Sequence, residues 1–218
     1  MNFDMLKKLT VFLFITCLLA SCSNTKQVIA NSNYSDFSLE EIDMIMSGEA
    51  NEPMRVFKIN NEQDSILLRT KSEAINVDPN DPVLKRFVDR LYSTVRDSMS
   101  LGAGIAAPQV GILKNIIWVQ RFDKEDLPFE VYLNPKITKY SKMKQDCLEG
   151  CLSIPNKRDT TKTRAYAILF EYDRMDNTHA TEMVEAFTAV IVQHEVDHLN
   201  GILFLDHLEK ESKDVSHQ

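Results

Sequence analysis

Glycine is scarce in this 218-residue chain, with only six, at positions 48, 102, 104, 111, 150 and 201. Gly102, Gly104, Gly150 and Gly201 fall in three short stretches that also hold the chemically interesting side chains, and clustering of a rare residue marks special backbone geometry. A basic excess is missing as well: 25 Lys+Arg face 32 Asp+Glu, a formal net charge of -7. A nucleic-acid binder needs a basic face, so no nucleic-acid partner is expected. The apolar run Leu9–Ala20 has 12 residues, short of the roughly 20 that a membrane-spanning helix requires. Internal repeats and low-complexity segments are absent. What is present, 44% hydrophobic and 26% charged residues, is the balance of an ordinary globular fold rather than of bulk disorder. The length suits one domain, or one domain plus an appendage.

Residues 1–21 read as an export signal, because Lys7 and Lys8 precede the short apolar run. The run ends Leu19-Ala20-Ser21-Cys22, and small residues before a cysteine resemble the lipobox of bacterial lipoproteins. That resemblance implies cleavage before Cys22, lipidation of Cys22, and an exported protein anchored to a bacterial membrane on the periplasmic side or the cell surface. An ordinary signal peptide, or an enzyme that stays in the cytosol, is the plainer alternative. Residues 22–50 read as a tether with a short helix at 39–47, set by the capping-box pattern Ser38-Leu-Glu-Glu41 and the stop at Gly48. Residues 51–210 form the main folded domain in this reading, and 211–218 a C-terminal tail.

Within that domain, Met54–Asn60 and Ser65–Arg69 carry strand-like residues. Asp81 and Pro82 start a helix that runs to about Met99, with Val83, Phe87, Leu91 and Val95 as a core stripe. Asn115–Phe122 and Glu130–Ile137 read as strands, and Ala165–Tyr172 with Ala180–Val184 as a hairpin turning at Asp176-Asn177. Glu185–Leu199 is a long apolar helix stopped by Gly201. Strands followed by one central helix predict an α+β domain, with antiparallel strands packed around a central metal-binding helix.

The metal expectation comes from that helix, which reads His194-Glu195-Val196-Asp197-His198. Residues i and i+4 share a helix face, so both imidazoles can meet one ion, with Glu195 able to reach water on it. A third protein ligand is needed. The zinc-protease pattern would supply a histidine at 204, but Phe204 stands there, which disfavours a metalloprotease. Cys151, in Glu149-Gly150-Cys151-Leu152-Ser153, is the best upstream candidate, and a thiolate with two imidazoles suits a borderline-soft divalent metal. The third stretch, Gly102-Ala103-Gly104-Ile105-Ala106-Ala107-Pro108-Gln109, offers close backbone approach and an amide N–H for a developing oxyanion. Alone it is no more than a tight loop.

In this order the three stretches resemble peptide deformylase, marked by G-x-G-[hydrophobic]-A-A-x-Q, then E-G-C-L-S, then Q-H-E-x-D-H. The likeness runs from about Met54 to Leu208. It implies that family's α+β fold, hydrolysis of the formyl group from N-formylmethionyl peptides with release of formate, and metal ligation by Cys151, His194 and His198. It also implies catalytic roles for Glu195 as general base, Gln109 as oxyanion donor and Leu152 through its backbone N–H. Substrate binding falls to Gly102, Gly104, Ile105, Arg158, Phe187, Val190 and Ile191. The family commonly uses iron(II), and zinc, nickel or cobalt suit such a ligand set. Ala103 stands where a larger apolar residue is common, which implies a wider methionine pocket. Arg164 is the expected partner of Asp197, and Cys147 is expected to remain a free thiol near that pocket. A catalytically idle surface lipoprotein that binds metal or peptide, or another metal-dependent amidase, remains the alternative.

Overall fold

The computed structural model describes residues 35–97 and 102–216. The signal-like segment, Cys22 and the first part of the tether-like segment lie outside the described residues.

Helix α1 (Leu39–Met46) begins at the expected capping box. The Ser38 hydroxyl accepts from the Glu41 N–H at 3.2 Å, and the Ser38 N–H donates to the Glu41 carboxylate at 2.8 Å. Phe37, Ile42 and Ile45 then pack into the same core as the stripe of α3 (Pro82–Arg96). Arg90 of α3 donates to the Met44 and Ile45 carbonyls at the end of α1, at 2.9 Å each. Between these helices the strand-like reading of Ser65–Arg69 is corrected, because the segment is part of helix α2 (Glu62–Leu68). Local capping outweighs its β-prone side chains. The Asn61 side chain accepts from the Asp64 N–H, and the buried Asp64 carboxylate is gripped by both Arg55 Nη atoms and the Lys58 N–H. The strand-like reading of Met54–Asn60 is corrected too: the segment joins no sheet and ends in a turn at Ile59-Asn60, held by Phe57 N–H to Gln109 O at 2.7 Å and Ile59 N–H to Ser153 O at 3.0 Å.

Five strands form one antiparallel sheet in the order β1-β2-β3-β6-β7. They are β1 (Gly104–Ala106), β2 (Ile116–Gln120), β3 (Phe129–Tyr140), β6 (Ala167–Asp173) and β7 (His179–Glu185). The β6–β7 turn lies where Asp176-Asn177 predicted it, with Asn177 at φ 64°. Strands β4 (Lys144–Cys151) and β5 (Ile154–Ala165) stand apart as a two-stranded hairpin. The sequence hid this hairpin because both strands are rich in charged and polar residues and expose most of their length, so no apolar alternation shows. Beyond β2, Arg121 is buried among Asp123, Glu130 and Glu182, with Tyr132 donating its own hydroxyl to Glu130 at 2.6 Å.

Helix α4 (Ala186–Leu199) is buried along nearly its whole length, on the sheet and beside the hairpin. It ends at Gly201, whose φ of +71° and contact with the Arg69 backbone leave no room for a side chain. The chain then enters α5 (Phe204–Ser216), which continues through most of the segment read as a tail. The α+β class, with antiparallel strands around a central helix, is the one expected.

Candidate metal centre

Two elements meet at the seam between hairpin and central helix. Cys151 ends β4, while His194 and His198 stand one turn apart on α4 with ring centroids 5.1 Å apart. The cysteine sulfur and one nitrogen from each imidazole all lie within 4.8 Å of one another, and Cys151 Sγ is 3.2 Å from His198 Nε2.

Glu149 lies two residues before Cys151, on the same side of the strand. Its carboxylate accepts from His194 Nδ1 at 2.7 Å. A carboxylate only accepts, so a proton sits on Nδ1, and Nε2 is the nitrogen left to face a metal ion. Glu149 in turn is gripped by Arg164 Nε and Nη2 at 2.8 and 2.9 Å, and Arg164 Nη1 reaches Asp197 at 2.5 Å. Burial works against ionising Glu149, yet the hydrogen bonds from His194 and Arg164 hold its carboxyl far below the ordinary range. His198 differs: burial and the nearby positive charges lower its basicity, which keeps the ring neutral, and its buried Nδ1 has no partner among the described residues.

Glu195 is buried, and burial pushes its carboxyl up to about 7. Its Oε2 has no hydrogen-bond partner among the described residues. Gly104 makes room for it, since a Cβ there would stand 2.5 Å from Glu195 Oε1. Gln109 follows in the 3-10 turn Ala107–Val110. The Ala106 N–H donates to its Oε1 at 2.9 Å, which aims Nε2 at Ser153 Oγ, 3.3 Å away, and at the Cys151 sulfur, 3.6 Å away.

A cleft of about 830 Å³ opens over this cluster. Gly102, Gly104, Leu152, Arg158, Phe187, Val190 and Ile191 all line it, together with Gln109, Cys151, His194 and Glu195. Phe187 sits at the rim against Phe122, with ring centroids 5.0 Å apart. Ala103 and Cys147 line the cleft too, and Cys147 and Cys151 are both free thiols. Burial raises the Cys147 thiol's pKa. Ile105 is the exception among the expected substrate contacts. Its side chain is fully buried in the core under α3, because strand alternation turns it away from the cleft that Gly104 faces. His198 lies beneath the cleft floor rather than in its wall. Sequence reasoning missed Glu149's role, although its place two residues before Cys151 was a usable signal. It also missed Phe204, which stacks on His194 at 6.0 Å. The expected Asp197–Arg164 pair is present.

The donor set fits a divalent ion: one thiol sulfur and two imidazoles drawn together, one ring kept neutral by its buried surroundings and the other oriented by a carboxylate on Nδ1.

Residues 54–214 match the family model described as Polypeptide deformylase. A peptide deformylase of Desulforudis audaxviator is 37% identical over 153 residues, covering 70% of this chain and 94% of that protein. One from Leptospira biflexa is 32% identical over 162 residues, covering 71% and 89%. Among solved structures, the actinonin-bound class I type b peptide deformylase of Acinetobacter baumannii gives a TM-score of 0.63 at 32% identity, covering 72% of this chain and 98% of that one. The same protein bound to Met-Ala-Ser gives 0.63, covering 72% and 99%. The exported, lipid-anchored location expected from Cys22 is corrected by these matches, since the relatives and structural neighbours are peptide deformylases and lend export or anchoring no support. Among the described residues no helix is long and apolar enough to cross a membrane.

Proposed function

The chain belongs to the peptide deformylase family, and from that premise we propose how its own residues carry out the family's reaction. The activity is metal-dependent hydrolysis that removes the N-formyl group from nascent peptides. We assign the metal to Cys151, His194 and His198. An ion held there would supply a lowered pKa for bound water and polarisation of a carbonyl oxygen. Iron(II) is our proposal for the native ion, with zinc, nickel and cobalt as substitutes that the same donors accept.

Glu195 is the base. Its raised carboxyl and unpartnered Oε2 suit a group that takes a proton from the attacking water and hands it on. The water oxygen joins the formyl carbon, the C–N bond breaks, and the proton from Glu195 goes to the departing nitrogen, leaving formate and a free amine. Gln109 Nε2, aimed by the Ala106 N–H, and the Leu152 backbone N–H meet the oxyanion. The peptide lies along Gly102, Gly104 and Arg158, and its methionine side chain enters between Val190, Ile191 and Phe187. We take residues 51–210 as the catalytic domain, with α1 packed on it and Glu211 of α5 bonded to it through the Lys162 N–H. The observation that carries this reading is the buried Glu195 carboxyl beside three convergent metal donors at the floor of a peptide-sized cleft. The test is formate release from formyl-Met peptides by the purified protein, with metal content measured on the same sample. Formate yield should track metal content, and a metal-loaded protein that releases no formate would overturn the assignment. If Ala103 widens the pocket, formyl-Phe and formyl-Leu peptides are also cut, whereas a strict preference for Met points to Phe187 filling the space.

A further inference from the structure

We propose that His207, on the last helix, is a positioning residue of the metal centre: it holds Asp197 and, through Asp197, Arg164 and Glu149, fixes the ring of His194. The proposal rests on the reading of Cys151, His194 and His198 as ligands. His207 Nε2 lies 2.8 Å from Asp197 Oδ2 and 3.4 Å from Arg164 Nη1; a carboxylate only accepts, so the ring donates from Nε2 to Asp197, and its Nδ1 faces the Thr163 hydroxyl at 3.4 Å. The same Asp197 oxygen accepts from Arg164 Nη1 at 2.5 Å. Arg164 makes two hydrogen bonds to Glu149, and Glu149 accepts from His194 Nδ1. Each link is charge-assisted, and Arg164 and Glu149 are almost wholly buried, so little water competes for them.

Two observations make His207 matter. First, the two ligand histidines are held unequally, since His198 Nδ1 has no partner among the described residues and the hydrogen-bonded support for ring orientation falls on His194. Second, Arg164 has one cationic head for two carboxylates. With a second donor on Asp197, less of the guanidinium is drawn toward that side, and its Nε–Nη2 edge stays on Glu149. Partners of this kind, one bond away from a ligand, typically change metal affinity by about 10–100-fold. His207 stands three residues further out and should act at the lower end. The rest of α5 does not depend on it, because Asp206 pairs with Arg69 and the Glu211 carboxylate accepts from the Lys162 N–H at 2.8 Å.

The experiment compares full-length, metal-loaded parent, His207→Phe and His207→Gln. Phe keeps the ring's bulk without a donor, while the Gln Nε2 donates from about where the ring Nε2 lies. Metal loss into excess chelator is followed on the protein's metal content, and kcat and KM are measured with a formyl-Met peptide. Metal loss should quicken roughly tenfold in His207→Phe, with kcat lowered several-fold and KM unchanged, and His207→Gln should restore both. Parental metal loss in a folded His207→Phe protein, or a Gln variant as leaky as the Phe one, overturns the proposal. Should His207→Phe not fold, Asp197→Asn carries the same comparison, and parental metal retention there overturns it equally. A Cys151→Ala protein that keeps its metal overturns the ligand reading instead.

Discussion

Arg121 and Arg164 are each 2% exposed and each ringed by carboxylates, yet the two networks end in different places. The Arg121 network gathers Asp123, Glu130 and Glu182, adds Lys124 on Glu130, and closes on Tyr132 and Tyr172. Its carboxylates are a quarter to a third exposed, so water screens the charge left over. The Arg164 network has Glu149 and Asp197 for one guanidinium, again one carboxylate in excess. There Glu149 is buried while Asp197 keeps 19% of its side chain exposed, and the network runs through His194 toward three convergent metal donors. The same chemistry thus ties a loop to a sheet in one place and presents negative charge to a cation in the other. A buried arginine with paired acids is by itself no sign of function; the group at the far end of the network decides.

The sharpest test of this contrast lies beside the functional network. Glu195→Gln should keep the metal and the melting temperature while formate release falls by at least ~10²–10⁴-fold, the typical worth of one positioned proton transfer. Near-normal formate release from the metal-loaded variant would remove Glu195 from the chemistry. Arg121→Met should do the reverse. It leaves three carboxylates facing a buried apolar chain, and breaking such a group costs about 3–5 kcal/mol when fully buried, with the low end expected here because the acids are partly wetted. Denaturant unfolding should register that loss, while kcat per folded, metal-loaded molecule stays at the parental value; a large fall in kcat would merge the two networks. The smallest effect is on the acid limb. Hydrogen bonding to Arg121 holds the Asp123 carboxyl at about 2 against an ordinary 3.8. A carboxyl lowered on folding contributes stability that is complete above the ordinary value and is lost as pH falls toward the lowered one. Stability should therefore decline between about pH 4 and pH 2, with a flatter slope in Arg121→Met. Identical acid slopes for the two proteins would deny Asp123 this role.

The same contrast explains what the sequence made legible. His194, Glu195 and His198 declare themselves because helix periodicity turns spacing into a shared face, and the Asp197–Arg164 pair followed from asking what a buried carboxylate on that helix needs. The Arg121 network left no such trace, since its members lie on β3, β6, β7 and the loop between β2 and β3, and nothing local links them. The core stripe of α3 was plain at four-residue spacing, whereas the polar β4–β5 hairpin that brings Cys151 was not. Ile105 was misplaced because a motif names residues without saying which face of a short strand each one takes.

Cys151 and His198 are 47 residues apart along the chain, one on the hairpin and the other on the central helix. An ion joining them would close a ring in the polypeptide, as a disulfide does, but with a fastening that free metal in solution can replenish. Ring closure takes entropy from the unfolded chain, and mass action adds to it as the ion's concentration rises above its dissociation constant. The molecule would then be a gauge of its own loading: its melting temperature should rise with available metal whether or not substrate is present.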